Sequence, residues 1–142
     1  MLILMRGPSC SGKSWVVEKM CEVRPFTICS TDSYFMVDGV YQFDATQLQY
    51  YHELNFRKCT SALAAGEDVI VDNTNLTYKQ MKRYIDAARL LGHEYLFING
   101  FEPVRRDNPK EVPSEVIDRH HEQYVPDWQI ILSLLEDCDG RV

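Results

Sequence analysis

Short apolar runs alternate with longer amphipathic segments along this chain. The apolar runs occupy residues 2–5 (LILM), 26–31 (FTICST), 68–72 (DVIVD) and 94–99 (EYLFIN). The last three are rich in β-branched and aromatic residues, and all four are short, which is typical of buried strands. We therefore predict four strands in this order.

The segments between these runs have the spacing of helices. Tyr78, Met81, Ile85 and Ala88 recur at three- and four-residue intervals, which places them on one face of a helix. The predicted helices cover residues 12–22, 44–65, 77–92 and 113–124. Residues 128–137 fit either a helix or a strand by periodicity, and a helix is preferred.

Turn and cap residues separate these elements. Asp44 with Gln47, and Thr77 with Gln80, have the spacing of capping boxes at the starts of two predicted helices. An Asp-Gly pair flanked by apolar residues within 36–43 (MVDGVYQF) predicts a tight hairpin. Strands that alternate with helices indicate an α/β fold, with a mostly parallel sheet covered by helices on both faces. Ligands of such folds bind beyond the carboxyl ends of the strands, so those ends are where a site is expected.

Length and charge narrow the class of protein. The 142 residues fit a single domain over 1–142, and the net charge of −6 argues against a broad surface that coats nucleic acid, although a local basic groove is compatible with it. The longest apolar run is far below the roughly 18 residues that span a membrane. The five cysteines are odd in number and show no pairing pattern, so we expect reduced thiols and a cytoplasmic location.

The first predicted strand leads directly into a phosphate-binding motif. Residues 7–14 (GPSCSGKS) match G-x-x-x-x-G-K-S between a strand and a helix. In this P-loop, backbone N–H groups and a helix N-terminus face phosphate oxygens, the lysine reaches the β- and γ-phosphates, and the last hydroxyl binds Mg²⁺. The predicted nucleotide-binding residues are Gly7, Pro8, Ser9, Cys10, Ser11, Gly12, Lys13, Ser14 and Trp15, with Lys13 also catalytic and Ser14 also a metal ligand.

Carboxylates follow the second and third strands. Asp32 would face the phosphates, where it could serve as the general base for a hydroxyl nucleophile or only as a turn or cap residue. Asp72 closes the third strand, where a metal or water ligand of Walker-B type belongs. The polar residues after it, Asn73 to Asn75, form either a functional loop or an ordinary turn.

A basic loop is a further candidate. Residues 104–113 (VRRDNPKEVP) carry Arg105, Arg106 and Lys110, which could clamp the transferring phosphates or could simply be solvated.

Aromatic and histidine residues are open to two interpretations. The aromatic residues between positions 34 and 51 could stack on a base, but a core role is preferred. His52 and Asn55 could face the crevice or make a contact between helix and sheet. His120 and His121 are adjacent, so their side chains diverge on a helix and could not easily share one metal.

In order, these segments resemble a family of P-loop kinases. The segments RGPSCSGKS, STDSYF, DGVYQFD, HELN, VIVDNTNL and RRDN…VPSEVI…Y are similar to the family typified by the 5′-kinase domain of phage polynucleotide kinase. They also resemble the kinase-like domain of NEDD4-binding protein 2 and its small relatives, over roughly residues 2–127. The resemblance implies a three-layer P-loop NTPase fold similar to adenylate kinase and transfer of the ATP γ-phosphate to a hydroxyl. It also implies Asp32 as the general base and Arg106 as an arginine of a lid at about 104–113.

Two positions depart from the phage kinase. Phe35 stands where the phage enzyme has an arginine that contacts the acceptor phosphate, and Asn73 stands where it has its strand-end aspartate. Asp72 matches the corresponding acid of the small relatives, and Lys110 is the candidate for a second lid cation. The predicted substrate contacts are Asp32, Phe35, Asn73, Asn75 and Lys110, and the predicted metal ligands are Ser14 and Asp72.

The sequence thus predicts an ATP- and Mg²⁺-dependent kinase whose acceptor is a polynucleotide or nucleoside 5′-hydroxyl. A kinase for a small metabolite is the alternative that the acidic charge and Phe35 favour. A nucleotide-dependent binding module without phosphotransfer is the alternative from another class of protein.

Overall fold

The computed structural model describes residues 1–9, 11–99 and 112–139. The strands are β1 (Leu2–Met5), β2 (Thr27–Cys29), β3 (Met36–Val37), β4 (Val40–Tyr41), β5 (Val69–Val71) and β6 (Tyr95–Ile98). The α-helices are α1 (Lys13–Val23), α2 (Leu48–Ala64), α3 (Tyr78–Leu90), α4 (Ser114–Gln123) and α5 (Asp127–Asp139). Two short 3₁₀ helices cover Thr31–Phe35 and Ala45–Gln47.

Four strands form one parallel sheet in the order β2-β5-β1-β6. The register pairs Ile3 with Ile70 on one side and with Leu96 on the other, and Ile28 pairs with Ile70. Both inner strands are buried along their whole length, because helices cover the two faces. The predicted α/β fold with a mostly parallel sheet is confirmed.

Alternate residues of the inner strands pack into two separate hydrophobic cores. Leu2, Leu4, Val69 and Val71 point to one face, where α2, α3 and α5 pack on them. Ile3, Met5 and Ile70 point to the other face, which α1 covers through Val17 and neighbouring partly buried residues. Tyr78, Met81, Ile85 and Ala88 lie together in the first core, as their spacing predicted.

The elements between the strands differ from prediction only in detail. The hairpin of β3 and β4 turns at Asp38 and Gly39, whose φ angles of 49° and 78° are those a two-residue turn of this kind requires. The second predicted helix opens with the 3₁₀ turn, capped by the Asp44 side chain, which accepts from the Thr46 N–H at 2.9 Å. Thr77 makes no side-chain cap on α3, and the predicted capping box does not form, because the Gln80 side chain accepts instead from the Leu76 N–H at 2.7 Å.

The ambiguous segment near the end of the sequence is the helix α5. Ile130 and Leu134 are buried on one side of it. The side chains of four other apolar residues are each roughly half exposed: Trp128, Ile131, Leu132 and Leu135. None of the helices in the described part of the chain combines the length and the apolar composition needed to cross a bilayer.

Candidate active site

The carboxyl ends of β1, β2 and β5 meet at one edge of the sheet, and the predicted site residues follow them. The P-loop connects β1 to α1, the 3₁₀ helix that carries Asp32 follows β2, and Asp72 follows β5. Because these three strands are neighbours in the order β2-β5-β1, the fold brings together three segments that are far apart in the sequence.

The P-loop closes around its own lysine. The Lys13 side chain is 8% exposed, and its Nζ donates to the carbonyl oxygens of Gly7 at 2.8 Å and Pro8 at 2.7 Å. Gly12 has a φ of 95°, a left-handed conformation that glycine adopts without the penalty of a Cβ, and it turns the loop into α1. The ammonium group is thus held at the mouth of the loop, where phosphate oxygens would bind.

The remaining polar groups of the loop fit an anion. The Gly7 N–H is already used, since it donates to the Thr74 carbonyl at 2.9 Å. The Ser9 N–H donates to the His120 ring at 3.3 Å. The Ser11 hydroxyl is buried and has no hydrogen-bond partner among the residues that the structure describes. A buried hydroxyl of this kind is costly unless a ligand oxygen supplies the missing partner.

The two predicted metal ligands lie side by side. The Ser14 hydroxyl donates to a carboxylate oxygen of Asp72 at 2.9 Å. A hydroxyl and a carboxylate are the hard oxygen donors that Mg²⁺ takes when phosphates and waters complete its shell. The donor set therefore fits the ion that the P-loop motif implies.

Asp32 lies in a hydrogen-bonded cluster. The Tyr41 hydroxyl donates to the Asp32 carboxylate at 3.3 Å, and burial together with this carboxylate raises the pKa of Tyr41 to about 12. Tyr41 therefore remains a donor across the whole working pH range. The backbone beside Asp32 is fixed by Asn73, whose side-chain oxygen accepts from the Thr31 N–H at 3.0 Å.

Two histidines face this cluster. His52 of α2 lies 2.9 Å from the Thr31 hydroxyl, and its pKa is lowered by burial and by the nearby Arg83 against the opposing effect of Asp32. His120 of α4 has a pKa lowered first by burial and then by Lys13. Both rings are therefore held towards the neutral form.

The structure separates residues that lie in the crevice from residues that pack beside it. His52 reaches the crevice, whereas Asn55 is buried and donates to the Tyr84 hydroxyl at 3.1 Å between α2 and α3. Phe35 is 2% exposed, with its ring centroid 4.8 Å from that of Tyr51 and 5.1 Å from that of Phe43. This burial gives Phe35 the core role preferred for the aromatic residues between positions 34 and 51, and its contact with a substrate stays a prediction.

Asn73 and Asn75 also act within the protein. Asn75 is 2% exposed, and its side chain donates to the Met5 carbonyl at 2.7 Å, which ties the loop after β5 to the end of β1. The side-chain oxygen of Asn73 is occupied by the Thr31 amide. Both side chains position the strand ends, and their predicted contacts with a substrate stay predictions.

Arg6 is the residue that sequence reasoning missed most clearly. Its side chain is fully buried directly before the P-loop, and its Nε donates to the Asn75 carbonyl at 2.9 Å. The guanidinium also pairs with Asp127 at the start of α5 and donates to the carbonyls of Leu76 and Val125. A charged residue placed between an apolar strand and a P-loop glycine was the available signal, since such a charge needs buried partners.

Several predicted site residues take no part in the contacts described above. Cys10, Arg105, Arg106 and Lys110 lie outside the described residues, as does most of the predicted lid, and the division into a single domain with a lid stays a prediction. Trp15 is 52% exposed on α1, with its ring 5.6 Å from Lys19 Nζ.

A separate surface groove of about 640 Å³ lies between the C-terminal halves of α2 and α3. Phe56, Ala64, Arg83 and Leu90 are among its lining residues. These helix ends lie at the opposite edge of the sheet from the P-loop, so the groove does not belong to the phosphate site.

A parallel sheet, a P-loop after the inner strand β1 and flanking helices on both faces define the P-loop NTPase fold. The sequence matches the model of the family described as "AAA domain" over residues 2–99, and the chain belongs to this family. It is also similar to human NEDD4-binding protein 2, with 36% identity over an alignment that covers 87% of the chain and 8% of that relative. The chain thus spans less than a tenth of that protein's length.

Solved structures share the fold. One is a gluconokinase from Sinorhizobium meliloti 1021, with a TM-score of 0.57, 19% identity, and coverage of 87% of this chain and 74% of that one. Another is a shikimate kinase from Aquifex aeolicus, with a TM-score of 0.50, 16% identity, and coverage of 99% and 98%. At these identities the likeness concerns the fold alone, whereas the 36% identity to NEDD4-binding protein 2 confirms the predicted resemblance to that protein.

Proposed function

We propose that this protein is an ATP- and Mg²⁺-dependent kinase that transfers the γ-phosphate to a hydroxyl, with a polynucleotide or nucleoside 5′-hydroxyl as the acceptor. The kinase-like fold supports phosphotransfer. The choice of acceptor rests on the resemblance to polynucleotide 5′-kinases and on the likeness to NEDD4-binding protein 2.

One observation carries the proposal. A pair of hydrogen bonds joins the P-loop to the segment that carries Asp32, because Ser14 donates to Asp72 at 2.9 Å and the neighbouring Asn73 side chain accepts from the Thr31 N–H at 3.0 Å. The lysine of the phosphate loop and the carboxylate after β2 therefore share one crevice. A phosphoryl donor held at Lys13 and a hydroxyl held at Asp32 would lie next to each other, which is the arrangement that in-line transfer needs.

The chemistry assigns one role to each group. Asp32 accepts the proton of the acceptor hydroxyl, whose oxygen attacks the γ-phosphorus while the bond from phosphorus to the β–γ bridging oxygen breaks and ADP leaves. Lys13 exchanges its loop carbonyls for phosphate oxygens and offsets the charge on the leaving group. Ser14 and Asp72 would hold Mg²⁺, which when bound neutralises phosphate charge. Arg106 of the predicted lid would add a second cation.

The test is transfer of label from γ-labelled ATP to 5′-hydroxyl DNA, 5′-hydroxyl RNA and a panel of nucleosides, with Lys13→Ala as the blank. Asp32→Asn should lower the rate by about 10²–10⁴-fold, the usual contribution of a general base. Asp44→Asn is the matched control, because Asp44 is a solvent-exposed cap and asparagine also caps well. Full activity of Asp32→Asn with every accepted hydroxyl would show that Asp32 is not the base.

A small-metabolite acceptor is the second candidate. The net charge of −6 disfavours a long polyanion, and the buried Phe35 leaves the place of the phage acceptor arginine without a cation. A nucleic-acid acceptor should give a KM that rises steeply with salt, whereas a small neutral acceptor should give little dependence. Label that appears only as free phosphate would instead support a nucleotide-dependent binding module.

A further inference from the structure

Helix α4 places a histidine on the phosphate loop. The His120 Nδ1 accepts from the Ser9 N–H at 3.3 Å, and the ring is half-buried. Pro8 has no N–H, and the Gly7 N–H is bound to Thr74. Ser9 therefore supplies the first loop amide that can turn to an anion, and His120 holds that amide in the structure.

The contact fixes the protonation state of the ring. A nitrogen that accepts a hydrogen bond carries no proton, so Nδ1 is bare and the neutral ring carries its proton on Nε2. A phosphate oxygen in the loop needs the same Ser9 N–H, and one N–H serves one acceptor well. Binding of the phosphate and the present His120 contact therefore compete for this amide.

The displaced ring does not leave the site. The chain directly after its helix is anchored by the hydrogen bond between the Val125 N–H and the Leu76 carbonyl at 2.9 Å, and by the contacts of Arg6. The ring thus remains beside the bound phosphate. A phosphate that carries more than one negative charge favours the imidazolium, which donates from both ring nitrogens.

We propose that His120 is a phosphate ligand of this nucleotide site, which releases the Ser9 amide and takes up one solvent proton when the nucleotide binds. The inference rests on the proposed nucleotide site and adds a residue to it. It also adds a pH dependence, since the histidine changes from a neutral acceptor to a charged donor.

The surrounding charges agree with this switch. The groups that act electrostatically on His120 are Lys13 of the P-loop, Asp32 of the segment after β2, and Arg119 and His121 of its own helix. Burial, Lys13, Arg119 and His121 lower the pKa of His120, while Asp32 opposes them. A bound phosphate reverses this balance because its negative charge lies next to the ring.

Calorimetric titration with Mg·ADP, repeated in two buffers of different ionisation enthalpy near pH 7, measures the protons taken up on binding. The wild-type protein should take up a fraction approaching about one proton per nucleotide. His120→Gln, which keeps an acceptor oxygen but cannot become charged, should lose that uptake. His121→Gln is the matched control, because His121 is exposed on the same helix. The nucleotide's own titration cancels in the comparison between variants.

The affinity for Mg·ADP should show the same linkage. At pH 6 the wild-type protein should bind roughly tenfold more tightly than His120→Ala, as expected for one charge-assisted hydrogen bond. At pH 8.5 this advantage should disappear, because the neutral ring then only competes for the Ser9 amide. A ratio that stays constant between the two pH values would overturn the role of His120.

These experiments distinguish failure of the proposed nucleotide site from failure of the proposed role of His120. If the wild-type protein binds Mg·ADP no better than Lys13→Ala, then the nucleotide site itself is wrong and the role of His120 falls with it. If binding is normal but His120→Gln takes up as many protons as the wild type, only the role of His120 is wrong. Proton NMR of the four histidines in the wild-type protein gives a check without substitution, since the His120 resonance should move to the imidazolium position when Mg·ADP is added.

Discussion

Arg6 should contribute more to stability than any surface charge in the described part of the chain. Its guanidinium is fully buried and joins three segments: the loop after β5 through Asn75 and Leu76, the junction of α4 and α5 through Val125, and the start of α5 through Asp127. We consider Arg6→Met, in which the methionine fills most of the volume of the arginine stem but donates no hydrogen bond.

The magnitude follows from the partners that remain. Removing one member of a buried ion pair costs about 3–5 kcal/mol, because the other charge is left uncompensated. Asp127 is 36% exposed and also accepts from the Asn99 amide, so the cost should lie near the lower limit. The guanidinium also lies 4.8 Å from the Tyr124 ring centroid, and this cation–π contact is lost as well. We expect a loss of about 3 kcal/mol in the free energy of unfolding.

Urea denaturation followed by circular dichroism measures this loss. Arg6→Lys, which keeps the charge but not the planar fork, should lose about half as much. Arg57→Met is the surface control: Arg57 is 72% exposed with Glu53 at 3.7 Å, and its loss should cost less than about 0.5 kcal/mol. If Arg6→Met unfolds within 1 kcal/mol of the wild type while the control behaves as stated, the reasoning from buried charge is refuted.

Two further predictions concern the crevice. Tyr41→Phe removes the hydroxyl that donates to Asp32. Steady-state kinetics should show a kcat that is about three- to tenfold lower and an unchanged KM for ATP. An unchanged kcat would mean that Tyr41 does not position the base. The pKa values of His52 and His120 are lowered below the ordinary 6.5, so just below that pH the folded protein binds fewer protons than the unfolded chain. The stability contributed by these groups is therefore present above about pH 6.5 and is lost as the pH falls below it. The double variant His52→Gln/His120→Gln should therefore lose less urea stability than the wild type between pH 7.5 and 5.5, and equal losses would contradict this assignment.

The site residues that could be predicted best are those whose sequence pattern lies within a few contiguous positions. The P-loop is a contiguous motif between a strand and a helix, so Lys13 and Ser14 could be named from the sequence, and the structure places both of them at the strand ends. Asp72 had support from its position at the end of a strand, and its contact with Ser14 agrees with the expected pairing. The catalytic role of Asp32, like the other roles, stays a prediction until it is measured.

The sequence was a poor guide where one residue type serves two purposes. Asn73 and Asn75 in a loop after a strand suggest ligand contacts as readily as internal hydrogen bonds, and the structure uses both of them to hold the strand ends. Phe35 was likewise open to two roles, substrate contact by its resemblance and core by its aromatic character, and its ring lies inside an aromatic cluster. A side chain's neighbours depend on contacts between distant segments, which no local pattern records.

The sequence by itself determined the class of fold and the place of the site. Hydrophobic periodicity is a local property, and so are turn residues and a motif of eight contiguous positions; together they were sufficient for the α/β order of elements and for the phosphate loop. Only the tertiary structure decided that α4 brings His120 to the Ser9 amide, 111 positions away, and that Arg6 reaches the start of α5. These contacts join segments far apart in the chain, and the buried polar groups at their ends must find partners wherever packing places them.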